Sequence, residues 1–156
     1  MQPLVDEIAA AFADRAYPGD HGLTLFQGSD SECDRMAEFF RGRSWRDLRP
    51  AELRKHGSTS GFFTVPAYCY FLPAYLLGML EDRDTMDVCW DHLEFDFGPR
   101  PGDASRQTRL AEILASLTEP QLRAVLRFFQ QLPDELSIEN LERAIAARQE
   151  SQGSAG

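Results

Sequence analysis

A chain of 156 residues with 43% hydrophobic residues, eleven Phe and a net charge of −9 can bury a core without help from a disulfide or a metal. The acidic balance argues against nucleic acid or an anionic membrane as the main ligand, because both require a basic face, and it admits a basic protein as partner. Three cysteines (Cys33, Cys69 and Cys89), widely spaced among apolar residues, read as free buried thiols in a reducing compartment rather than as a disulfide framework.

The opening stretch MQPLVDEIAAAFADR carries acids among its apolar residues and no basic leader, so a secretory signal is not expected and a cytoplasmic location is. Leu4, Val5, Ile8 and Phe12 share one helical face, and Tyr17-Pro18-Gly19 reads as a turn after it. Residues 14–30 read as loop. Ser31 can cap a second helix whose apolar positions are Cys33, Met36, Ala37 and Phe40. The exposed face of that helix and the segment after it bring Arg41, Arg43, Arg46 and Arg49. Trp45, in Arg43-Ser44-Trp45-Arg46-Asp47-Leu48, reads as a core anchor, with a place at an interface as the competing reading, since Trp and Arg are enriched there. A short helix starts near Pro50 and stops at Gly57, which suits a left-handed cap.

Gly61 to Leu80 carries no charge. Its length matches a membrane span, yet Pro66 and Pro73 divide it, three Tyr dilute it and acids follow it, so a buried core helix is the expectation. Pro66 can open that helix, and Pro73 either kinks or restarts it.

Glu81 to Asp96 then sets seven carboxylates against a single Arg. At about 100° per residue, Met86, Cys89, Trp90, Leu93 and Phe97 fall on one side of a helix. Asp84, Asp87, Asp91 and Glu94 fall on the other. Like charges at these spacings cost roughly 0.2–0.5 kcal/mol per pair, so stability alone does not select them. Two explanations compete with a binding role. The first acids favour the helix macrodipole, and the Arg-rich segment 41–55 could fold onto the row as internal ion pairs.

Further on, residues 98–103 form a loop, and a helix runs from about Ser105 to Ser116 with Leu110, Ile113, Leu114 and Leu117. Leu117-Thr118-Glu119-Pro120-Gln121 is the clearest helix start, a capping box in which Thr118 and Gln121 exchange bonds. That helix buries Leu122, Val125, Leu126 and Phe129 and ends at Pro133. A last helix uses Ile138, Leu141 and Ile145. The whole reads as an all-α bundle of six to eight helices, a single domain over 1–148 with a disordered tail over 149–156.

Chemistry-bearing patterns are sparse. Cys89-x-x-His92 is half a zinc site with no matching pair, so no metal and no cofactor are expected. No phosphate-binding glycine loop, nucleophile elbow or zinc-protease helix is present, and Gly57-Ser58-Thr59-Ser60-Gly61 reads as a junction between helices.

Tyr17-Pro18-Gly19 with Leu23-Thr24, Trp45-Arg46-Asp47-Leu48, the run Ala67-Tyr68-Cys69-Tyr70-Phe71-Leu72-Pro73-Ala74-Tyr75-Leu76-Leu77, and Leu117-Thr118 through Phe129 together resemble a bacterial domain-of-unknown-function family of small helical proteins. The resemblance spans roughly Ile8 to Leu132. It implies a single cytoplasmic bacterial domain and supplies no activity or catalytic residue.

Small size, acidity and the missing catalytic motifs point to a non-enzymatic protein-binding domain. Its concrete form is a bacterial immunity protein that neutralises a toxin, with no nucleic acid or membrane as partner. Asp84, Asp87, Asp91, Glu94 and Trp45 are the candidate contacts with that basic partner. Two readings stand beside it: a small enzyme with its site near Tyr68, Tyr70, Tyr75 and His92, and a scaffold or regulatory subunit.

Overall fold

The structure is a computed structural model that describes residues 2–25, 31–57, 60–132 and 134–155. Eight α-helices occupy them: α1 (Gln2–Ala11), α2 (Ser31–Phe40), α3 (Pro50–Arg54), α4 (Val65–Glu81), α5 (Asp87–Phe97), α6 (Ala104–Ser116), α7 (Glu119–Gln131) and α8 (Glu135–Ser154). Single 3-10 turns lie at Trp45–Asp47 and Ser60–Phe62. Among the described residues the only extended pairing is an isolated antiparallel bridge between Thr24 and Phe63. The all-α class follows from the helical periodicity. The Ser31 cap, parts of the 14–30 loop, Ser58-Thr59 and Pro133 lie outside the described residues or side chains.

Two compact units divide the chain. One holds Phe12–His92, the other Met1–Ala11 with Leu93–Gly156. The sequence reading has one domain over 1–148. No change of composition marks either boundary, because one directly follows α1 and the other falls inside α5.

In the Phe12–His92 unit, α4 is the buried element. Thr64 caps it by accepting from Ala67 N at 3.2 Å, and Pro66 occupies the first turn, where a missing N–H costs nothing. The helix continues through the buried Pro73 to Glu81 without restarting. Among the described residues no helix is long and apolar enough to cross a membrane. Aromatic rings from three segments meet: Phe40 lies 4.7 Å from Phe71 and 5.0 Å from Phe63, centroid to centroid. Cys33, Met36 and Phe40 place the apolar face of α2 in this core. The turn after α2 uses Gly42 at φ +69°, and its N–H donates to the Tyr17 hydroxyl at 2.8 Å.

Gly57 departs from its expected role. Its φ is not left-handed, unlike those of Gly19, Gly42 and Gly102. Glycine is needed there for space: a Cβ would stand 2.9 Å from the Cys89 sulfur and 3.4 Å from a Val88 methyl. Close approach of the α3 end to α5 takes the place of backbone handedness as the reason.

In the other unit, α7 packs against α1 and α8 and buries Leu122, Val125, Phe128 and Phe129. Its capping box forms as expected, with Thr118 N donating to Gln121 Oε1 at 3.0 Å and Gln121 N to Thr118 Oγ1 at 3.4 Å. The Gln121 amide also donates to the Ala11 carbonyl at 3.1 Å, so one buried side chain closes the start of α7 and the end of α1. Arg148 of α8 donates to the carbonyls of Leu114 (3.0 Å) and Leu117 at the end of α6. α8 continues to Ser154, through residues 149–154 of the expected tail. Those residues are all exposed; helix there extends by propagation from the packed turns that bury Leu141 and Ile145.

Candidate partner-binding surface

The acidic segment begins as a turn. Asp82 accepts from Thr85 N at 3.1 Å through one oxygen and from the Thr85 hydroxyl at 2.8 Å through the other, and these bonds hold its carboxyl below the usual range. The turn delivers Met86 to the core, where it fills the space left by the missing side chain of Gly78. The helix expected from Asp84 starts only at Asp87, which leaves Asp84 and Met86 in the turn, and Trp90 of the expected apolar seam is half-buried. Met86, Cys89, Leu93 and Phe97 are buried, and Asp84, Asp87 and Asp91 are exposed.

The carboxylates are not equivalent. Asp87, the first residue of α5, pairs with Arg54 through Nη1, which also donates to the Thr85 carbonyl at 2.7 Å. The Arg54 bond, and after it the Val88 N–H, hold the Asp87 carboxyl below its ordinary range. Neither Asp84 nor Asp91 takes part in an ion pair among the described residues. Between them Val88 is 36% exposed, an apolar side chain next to free charge. Glu94 is half-buried and belongs to the unit of Met1–Ala11 and Leu93–Gly156, whereas Asp84, Asp87 and Asp91 belong to the Phe12–His92 unit.

The Arg-rich segment meets the acids in part. Arg43 pairs with Glu52 at 3.0 Å, a bond that lowers the Glu52 carboxyl. Arg54 takes Asp87. Arg43 and Arg46 otherwise lie on aromatic faces, with guanidinium carbons 4.7 Å from the Phe39 centroid and 4.2 Å from that of Trp45. Trp45 itself is only 3% exposed, in a 3-10 turn packed against α4. The indole is a core anchor covered by Arg46, so contact with a partner through its ring would require that cover to move.

The chemistry-bearing alternatives are placed as follows. Tyr68, Tyr70 and Tyr75 are buried in α4, and His92 is half-buried on α5. A groove of about 480 Å³ runs along α6 and α8, lined by residues such as Leu110, Leu114, Asn140 and Arg143, and includes none of these four. Burial pushes the Cys89 thiol up to about 11, so it is protonated at neutral pH and poor as nucleophile or metal ligand. Among the described residues no group of three His, Cys, Asp or Glu side chains could hold a metal ion.

No curated protein and no solved structure matches this chain. A family model does match, over residues 2–150, which is nearly the whole chain. The chain belongs to the family of unknown function DUF6714.

Proposed function

We propose that the chain is a non-enzymatic acidic protein-binding domain, and that its form is a bacterial immunity protein neutralising a toxin with a basic surface. The observation that carries this reading is the pair of exposed, unpaired carboxylates, Asp84 and Asp91, on either side of exposed Val88. Free carboxylates steer a basic partner and fix its register, while apolar contact at their edge supplies affinity. Asp87 contributes less charge to that partner, because Arg54 already neutralises it. A basic toxin site blocked by this surface would lose access to its substrate.

The test is capture of the partner from native lysate by the tagged protein, washed at low and at high salt. A stoichiometric basic protein, released by salt and lost with the Asp84→Lys/Asp91→Lys variant, supports the reading. A folded variant that captures the same protein equally well removes the carboxylates from it.

A further inference from the structure

The arginines between α2 and α3 are a second charged surface that the acidic row does not explain. In a chain with 25 acidic and 16 basic residues, every cation could find an acid. Arg41, Arg46, Arg49 and Lys55 nevertheless take part in no ion pair among the described residues. Arg41, Arg46 and Arg49 are exposed, and the one free acid within the segment is Asp47.

The segment is also held in place. Asp47 N donates to the Ser44 carbonyl at 3.1 Å, Ser44 Oγ accepts from Arg46 N at 3.3 Å, and Glu52 accepts from Arg49 N at 3.1 Å. The Arg46 guanidinium rests on the Trp45 ring, and the residue is exposed. Stacking of this kind lowers the side-chain entropy lost when a guanidinium forms a paired bond to a carboxylate.

We propose that Arg41, Arg46 and Arg49 form a docking surface for an acidic, carboxylate-bearing segment of a partner protein. Charge complementarity selects that occupant. A single-stranded nucleic acid of the same length is the competing anion, and the oligonucleotide arm of the test separates it from a carboxylate-bearing segment. This inference stands on its own residues and survives if the Asp84/Asp91 reading fails.

The test titrates the full chain at low salt with a ten-residue glutamate-rich peptide, with inorganic phosphate and with a ten-nucleotide single strand. Backbone amide shifts report the site. The peptide is expected to move amides of residues 41–49 and to bind about fivefold or more weakly to Arg46→Gln/Arg49→Gln, the loss expected from two exposed ion pairs. Arg41→Gln/Arg49→Gln, which leaves the cover of Trp45 intact, is expected to weaken it likewise. No peptide binding, binding that both folded variants retain, or an oligonucleotide or phosphate bound as tightly as the peptide would overturn the proposal. So would a salt-sensitive dimer of the free chain that both variants dissolve, because the surface would then belong to a second copy.

Discussion

Arg54 and Asp87 stand 33 positions apart in the chain and meet at the start of α5, where the guanidinium joins the carboxylate and the Thr85 carbonyl. The contact ties α3 to the turn before α5. It also removes one charge from the middle of the acidic row, leaving Asp84 and Asp91 as the free members. The expected pH behaviour follows from the sign of the shift. A carboxyl whose folded pKa lies below its ordinary value near 3.8 adds stability above that pH, and loses it as pH falls through the folded pKa. A carboxyl-detected titration is expected to place the Asp87 midpoint below 3.8 in the wild type and nearer to it in Arg54→Gln.

Gly57 and Cys89 make a packing pair that mutagenesis can separate. Gly57→Ala forces a methyl to within 2.9 Å of the Cys89 sulfur and is expected to destabilise by about 1–3 kcal/mol, the cost of overpacking. Cys89→Ala leaves a small cavity on its own, and the double variant should be more stable than the sum of the two changes allows. Strict additivity in urea melts would show that the two sites do not touch.

Gln121 carries more than its cap. Thr118→Ala removes a cap oxygen and is expected to cost about 1 kcal/mol. Gln121→Ala also leaves the Thr118 N–H and the Ala11 carbonyl without their buried partner, so about 2–3 kcal/mol is expected. Equal midpoints for the two variants in chemical denaturation would refute the second role.

His56 stacks on Phe39 with a centroid separation of 4.3 Å, and burial, then Lys55, lower its pKa from 6.5. The neutral ring is favoured on folding. Stability is therefore full above pH 6.5 and declines as the unfolded chain takes up the proton below it, until the folded ring also protonates. His56→Gln is expected to flatten thermal midpoints between pH 7 and pH 5. A decline in that window as steep as the wild type's would assign it to other groups.

Local signals were the legible ones. The Thr118–Gln121 box, the Pro66 helix start and the Met86–Phe97 seam each depend on residues within a few turns, so their spacing is enough to find them. Contacts distant in sequence were not legible. The second bond of Gln121 reaches a carbonyl 110 positions away, and the purpose of Gly57 is set by Cys89, 32 positions on. Trp45 was legible as a core anchor, but an interface stayed open beside that reading, because composition cannot tell which side of a 3-10 turn faces α4. Internal pairing of the acids with the Arg-rich segment was readable as a possibility, but not that Arg54 is the arginine that closes on Asp87.

The most direct test compares wild type with Asp84→Lys/Asp91→Lys for affinity to the captured partner across a range of salt. Circular dichroism must first show that the variant keeps its helices. A charge-steered complex predicts weaker binding by the variant and a shallower dependence on salt, since screening then has less attraction to remove. Unchanged affinity and an unchanged salt dependence in a folded variant would contradict a binding role for the Asp84–Asp91 surface.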